Sequence, residues 1–266
     1  MQDAAMSRPS TAVLLDRVFV VIGAFRPEDR RLSLRALVER TGLPRSSVHR
    51  IAQHLVKWGV LERDGASFRI GMKLFEFGEL ASPYHELRDF AIPFLQEAHQ
   101  VSRETVDLAI LSGVDIVYLA KITADRSRSR HSRVGGRLPA YCTAIGRVLL
   151  ASDTGDAVER TISAGMTART PYTITSPDIL RMELADIRRN GHAIGREEMT
   201  IGTMSVAAPV RKGKRVIAAI SLTAPMNEEL IERLARTVTD AATQLSYAIF
   251  PGREGTNWLR AAANGR

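Results

Sequence analysis

The stretch "LPRSSVHRIAQHLVKWGVLERDG", residues 43–65, decides how the first part of the chain is read. At helical spacing Val48, Ile51, Ala52, Leu55 and Val56 fall at i, i+3, i+4, i+7 and i+8 and make one apolar face. The opposite face carries Ser46, Ser47, His49, Arg50, Gln53 and Lys57, and there is no acid between Arg45 and Lys57. A solvated helix ordinarily mixes Glu with Lys or Arg to gain i,i+4 pairs. This helix carries none of those acids, stops at Trp58-Gly59 and runs into a charged hairpin.

The flanking sequence supplies the rest of a domain. Residues 11–25, "TAVLLDRVFVVIGAF", place Leu14, Val18, Val21 and Ile22 at helical spacing. In "SLRALVERTGL", Ser33 is a plausible N-cap, Leu34, Leu37 and Val38 form an apolar face, and Gly42 stands just past the end. Pro44 falls at the start of the next helix, so "TGLP" is the short turn of a helix-turn-helix. "VLERDGASFRIG" reads as two strands around Asp64-Gly65. Three helices and a hairpin over residues 11–71 predict a winged helix-turn-helix.

That architecture gives the acid-free face a use. Duplex DNA presents phosphate oxygens and guanine N7 and O6 acceptors, and acids on the approaching face would be repelled. Arg45, Ser46, Ser47, His49 and Arg50 lie at the N-terminal end, the part of a recognition helix that reaches bases, and Arg63 and Arg69 on the hairpin are candidates for phosphate or minor groove. The competing reading, a solvated basic helix, loses to the agreement of helix, turn and wing. His49 and His54 are five apart, on different faces and without a third ligand, so no metal site is expected there.

Composition limits the function classes. The chain has 266 residues and a formal net charge of +8, which suits two modest domains and an acidic partner. Its one cysteine, Cys142, excludes an intramolecular disulfide framework and any multi-cysteine metal site, as expected of a reducing cytoplasm. The N-terminal residues "MQDAAMSRPSTAV" lack a secretory pattern, and no stretch has the length of a membrane span. A cytoplasmic protein without a membrane partner is expected.

"LSLRALVERTGLPRSSVHRIAQHLVKWGVLERDG" resembles the DNA-binding domain of the IclR family of bacterial transcriptional regulators. "VGGRLPAYCTAIGRVLLA", residues 134–151, and "GHAIGREEMTIGTMSVAAPV", residues 191–210, resemble the family's second domain in the same order and spacing. The resemblance covers about residues 11–250. It implies a GAF-like, effector-binding second domain, a homodimer or dimer of dimers, and an operator in double-stranded DNA.

Read by itself, the later sequence is mixed. "MKLFEFGELAS" is a candidate linker helix ending before Pro83, with the linker assigned to residues 72–86. "LRDFAIPFLQEAHQVS" is an amphipathic helix that Pro93 should kink or restart. "TVDLAIL" and "DIVYLAKI" read as a hairpin, "CTAIGRVLLA" and "SPDILRMELADIRRNG" as helices, "SVAAPVRKGKRVIAAISLTAP" as two strands, and "NEELIERLARTVTDAATQLSYAIF" as a closing helix. The whole is a two-domain α+β chain: an N-terminal winged helix-turn-helix, a linker helix, an α/β domain over 87–250, and a loose tail over 251–266.

No G-x-S-x-G, H-E-x-x-H, P-loop or G-x-G-x-x-G is present, so neither catalysis nor a cofactor is expected. Glu197 and Glu198 are adjacent and would point to opposite faces of a strand, and Cys142 reads as a small buried residue at a helix start. The resemblance places pocket positions on Leu138, Ala144 and Ile145, on Ser205, Ser221 and Thr223, and on Ser127 and Arg130. The helix start at "CTAIG" can receive an anion, and Ser221 and Thr223 share a strand face. Ordinary hydroxyls satisfied by backbone are the alternative for the three hydroxyl residues. Many relatives have Asp where this chain has Gly195-Arg196, and some have Cys at Ser205; both changes bear on the effector.

Between residues 121 and 137 stand Lys121, Arg126, Arg128, Arg130, Arg133 and Arg137 against one acid, Asp125. A guanidinium there would hold a carboxylate through two parallel hydrogen bonds, with Tyr141 or Ile145 over a ring. The alternatives are a solvated basic face and a patch steering toward DNA. The resemblance points to the aromatic-acid branch of the family, with protocatechuate or 4-hydroxybenzoate as effector. A small aliphatic oxoacid is the second expectation and a ligand-independent repressor the third.

Overall fold

A computed structural model describes residues 11–80, 82–123 and 132–249. The chain divides into two compact units between Ser82 and Pro83.

The first unit runs α1 (Thr11–Gly23), β1 (Leu32–Ser33), α2 (Leu34–Thr41), α3 (Arg45–Lys57), β2 (Leu61–Asp64), β3 (Ser67–Ile70) and α4 (Met72–Glu79). Ser33 caps α2 through its hydroxyl, which accepts from the Ala36 N–H. Gly42 ends the helix in the left-handed conformation and sends its N–H to the Val38 carbonyl. Val21, Leu37, Val48, Ile51, Ala52, Leu55, Leu61 and Phe68 form the core. Leu14 is exposed, so the apolar residues of α1 divide between the core and the outside. The short β1 was not apparent in the sequence; it joins the hairpin as the third strand, in the order β1-β3-β2.

Gly71 is obligatory where the wing returns over the end of α3. Its N–H donates to the Val60 carbonyl, and a Cβ there would lie 2.1 Å from the Gly59 carbonyl oxygen. The region after the wing differs from the single expected linker helix. α4 ends at Glu79, and α5 runs unbroken from Ser82 to Ser102. Pro83 therefore stands in the first turn of α5, where its missing N–H costs nothing, and Pro93 neither stops nor restarts the helix.

The second unit continues with β4 (Thr105–Ser112), β5 (Asp115–Ile122), β6 (Arg137–Pro139), α6 (Ala144–Ser152), α7 (Ala157–Ala164), α8 (Pro177–Asn190), β7 (Ala193–Arg196), β8 (Thr203–Lys212), β9 (Arg215–Pro225) and α9 (Ile231–Ile249). Its sheet is antiparallel in the order β6-β5-β4-β9-β8-β7. One face packs against α5 and α9 through Leu95, Leu108, Ile220, Leu234 and Leu245. The other packs against α6 and α8 through Ala109, Val148, Leu184, Ala207 and Ala219. Ser176 occupies the N-cap position of α8 but makes no side-chain cap bond, whereas Gly191 closes that helix as expected. Among the described residues no helix is long and apolar enough to cross a membrane.

Candidate DNA-reading face and effector cavity

The two faces of α3 separate as its period requires. Val48, Ile51, Ala52 and Leu55 are buried, while Arg45, Ser46, His49, Arg50 and Lys57 are exposed and Ser47 is half-buried. Arg45 and His49, and Ser46 and Arg50, are i,i+4 neighbours on the outer side. Neither Arg45 nor Arg50 forms an ion pair among the described residues. Asp29 and Arg40, paired through two hydrogen bonds, hold the α1–α2 loop, and that arginine also donates to the Ala24 carbonyl. The wing arginines differ from one another. Arg69 donates to Glu62 at 2.9 and 2.7 Å, and Glu62 also accepts the Met72 N–H. Arg63 is exposed, with its guanidinium 5.5 Å from the Phe68 ring centre.

In the second unit a cavity of about 50 Å³ opens between the sheet and the start of α6. It is lined by Leu138, Ala144, Ile145, Ser205, Ser221 and Thr223, together with Tyr118, Cys142, Thr143, Gly195, Glu197, Glu198, Met199, Thr200 and Thr203. Six expected positions thus meet at one place. Ser127 and Arg130 lie outside the described residues.

The local sequence explains the helix end of the cavity. Thr143 caps α6 by accepting the Gly146 N–H, and the Arg147 N–H reaches the Thr143 carbonyl. The N–H groups of Ala144 and Ile145, the first two of the helix, have no such partner among the described residues and carry its positive dipole end. Gly195 keeps that end open, because a Cβ there would stand 3.5 Å from the Ala144 nitrogen and 2.9 Å from the Ser205 hydroxyl. Across the cavity, Tyr118, Ser205, Ser221 and Thr223 contribute hydroxyls that make no side-chain hydrogen bond among the described residues. No backbone partner of these four hydroxyls stands among the described residues.

No cationic side chain lines the cavity among the described residues. The nearest buried cation, Arg147, is already committed. It is wholly buried, pairs with Glu198, donates to the Ile194 carbonyl at 2.9 Å, and has Glu183 3.8 Å from its Nε. The Glu198 carbonyl in turn accepts from the Thr173 hydroxyl. The two adjacent acids do not sit on a strand as expected. β7 ends at Arg196, Glu197 has a positive φ of 57°, and its carboxylate accepts the Gly202 N–H. Together these bonds fix the 197–203 loop as the cavity wall.

Burial pushes the Cys142 thiol up to about 12, so it stays protonated, and it packs against the Met199 sulfur. Behind the cavity, Asp107 is buried and its carboxyl is raised to about 6 by desolvation, against the pull of Lys121 and a hydrogen bond from Ser132. Tyr118 is raised as well, by burial first and then by Asp107. Sequence reasoning missed Arg147, Asp107 and Tyr118, and named Gly195 only as a departure from relatives. A lone Arg inside the apolar run "AIGRVLLA" was the available signal for the first.

Comparison with known proteins agrees with both units. Residues 14–65 match the IclR helix-turn-helix domain, and residues 81–247 match the C-terminal domain of bacterial IclR transcriptional regulators. The chain is 30% identical to the Pca regulon regulatory protein of Pseudomonas putida, over 91% of this chain and 86% of that protein. It is 31% identical to the transcriptional regulator KdgR of Escherichia coli, over 90% and 93%. A crystal structure of an IclR homolog from Microbacterium hydrocarbonoxydans complexed with 4-hydroxybenzoate superposes with a TM-score of 0.80 at 29% identity, covering 89% of this chain and 98% of that one.

Proposed function

This chain belongs to the IclR family of bacterial transcriptional regulators and is a DNA-binding regulator rather than an enzyme; from that premise we propose that it reads a specific operator and answers to a small carboxylic acid, controlling an aromatic-acid catabolic operon in the cytoplasm. The observation that carries the reading is the presence in one chain of an exposed, acid-free recognition helix and a cavity that brings the start of α6 together with Ser205, Ser221 and Thr223. Arg45, Ser46, Ser47, His49 and Arg50 read bases, and Arg63 contacts phosphate, with Arg69 a weaker contributor because Glu62 neutralises it. The Ala144 and Ile145 N–H groups hold the carboxylate, with Ser205, Ser221 and Thr223 around it. Leu138, Ile145 and Met199 supply apolar surface for a ring. The relatives named for the Pca regulon and for a 4-hydroxybenzoate complex support the aromatic assignment.

A small aliphatic oxoacid is the second reading, favoured by the size of the cavity. About 50 Å³ is room for roughly three to five water-sized groups, close to a three-carbon acid. A ring requires the half-buried Leu138 and Met199 to yield.

A homodimer or dimer of dimers presents two recognition helices to a two-fold operator. The exposed Leu15 and Phe19 of α1 and Phe75, Phe77 and Leu80 around α4 are apolar surface that a second copy covers. α4 and α5 carry effector occupancy to the spacing of the DNA-binding units.

The experiment is a gel-shift titration on duplexes selected from a random-sequence pool, at fixed salt, with and without candidate acids. Arg45→Ala and Arg50→Ala weaken binding far more than Arg236→Ala, and at least one acid shifts the midpoint. Equal behaviour of the three variants removes the base-reading assignment, and indifference to every acid leaves a ligand-independent repressor.

A further inference from the structure

We infer that the Tyr118 phenol, together with the Ser221 hydroxyl, donates a hydrogen bond to the effector, which is therefore a monocarboxylic acid carrying a further, uncharged oxygen. The inference rests on the cavity reading above and adds to it a specificity residue and the ligand group that this residue recognises.

Tyr118 stands on β5, opposite Ala109 of β4, and packs in the core between the sheet and α6. It lines the cavity and is 5% exposed, yet its hydroxyl has no hydrogen-bond partner among the described residues. Ser221 on β9 is 3% exposed, lines the same cavity and has a hydroxyl that is likewise unpartnered among them. Both hydroxyls are open to a water-sized group, whereas the Asp107 carboxyl behind them is closed at Oδ1. Asp107 relates the two positions: it is opposed to Ser221 in the sheet register and close enough to Tyr118 to help raise its phenol. The two hydroxyls therefore belong to the β5-β4-β9 part of the sheet, while Gly195, beside the start of α6, belongs to β7 at the far edge.

A buried phenol ordinarily keeps a partner for its O–H, because desolvating the group without one is uncompensated. Burial also holds the Tyr118 phenol well above its ordinary titration range, so it stays a neutral donor. With no partner in the surrounding described core, the partner comes from the cavity. The N–H groups at the start of α6 take the carboxylate, which leaves a second polar atom of the effector for these hydroxyls. No cation lines the cavity among the described residues and Asp107 stands behind the two hydroxyls, so that atom is uncharged, a hydroxyl or carbonyl oxygen.

Calorimetry on the full chain tests this with two matched pairs, 4-hydroxybenzoate against benzoate and lactate against propionate. In at least one pair the oxygenated acid binds about fivefold tighter or more, as one net hydrogen bond provides. Tyr118→Phe deletes the hydroxyl and keeps the ring; it brings that preference below about twofold and leaves affinity for the plain acid as it was. Because the hydroxyl has no internal partner, the variant without ligand melts within about 4 °C of the wild type, and a larger drop would reveal a partner inside the protein and overturn the inference. Equal affinities within both wild-type pairs overturn it and leave the carboxylate site standing, whether or not the variant folds. A preference that survives Tyr118→Phe means that water completes the phenol, and also overturns it. No binding of any of the four acids overturns the inference and the cavity reading together.

Discussion

The outer face of α3 and the cavity at the start of α6 both present hydrogen-bond donors, by opposite means. On α3 the cations are exposed, carry no counter-acid and project from a helix whose other face is core. At α6 the donors among the described residues are neutral backbone N–H groups and hydroxyls, and the buried Arg147 is bound by Glu198. The difference follows from solvation. A surface arginine keeps its hydration until a phosphate replaces it, so charge is available at little cost to folding. A free arginine inside the cavity would cost several kcal/mol in desolvation, and fixed dipoles offer an anion much of the same stabilisation without that cost.

Removing the committed cation breaks the contrast hardest. Arg147→Ala leaves Glu198 buried without its partner and is expected to destabilise the second unit by roughly 3–5 kcal/mol in chemical unfolding, while the volume-matched double variant Arg147→Met with Glu198→Leu recovers much of the loss. A drop below about 1 kcal/mol would mean that the pair does not hold the cavity wall. Next come the exposed cations. Arg50→Ala should cost about 1–3 kcal/mol in operator affinity and leave the folding of the chain unchanged.

A smaller effect comes from Asp107. Its folded carboxyl is raised to about 6 from an ordinary value of 3.8, so the folded state holds the proton more tightly. Stability then falls as pH rises between those values, the reverse of a salt-bridged carboxylate. Lys121, Ser132, Ser221 and Tyr118 surround the group, and of these Lys121 and Ser132 oppose the rise. From pH 5 to pH 8 the wild type should lose roughly 1 kcal/mol that Asp107→Asn does not lose, read from unfolding of both proteins at each pH. The smallest contrast lies within the wing. Arg63→Ala should weaken binding and flatten its salt dependence by about one charge, and Arg69→Ala should do less because Glu62 holds that guanidinium.

Much of the fold was legible because its signals are local. The periodicity of α3, the Ser33 cap and Gly42 stop of α2, and the hairpin turns each depend on residues a few positions apart. The cavity positions on α6, β8 and β9 were legible only through family resemblance, since nothing local says that Ala144, Ser205 and Ser221 converge. What was missed is long-range. Arg147 and Glu198 are 51 positions apart, and Asp107 meets Ser221 only through strand register. Pro83 and Pro93 were given their usual helix-breaking meaning, but a first-turn position removes the penalty for one, and packing of Leu87, Ala91 and Leu95 holds α5 through the other.

The most direct test of the contrast is the salt dependence of both affinities in one preparation: a selected operator duplex titrated by fluorescence anisotropy, and 4-hydroxybenzoate or lactate by calorimetry, between 50 and 500 mM salt. Counterion release makes operator affinity fall steeply, by orders of magnitude, while a carboxylate held by buried dipoles changes by less than about threefold. Effector affinity falling in parallel with operator affinity would mean that free cations hold the effector, and would contradict the account.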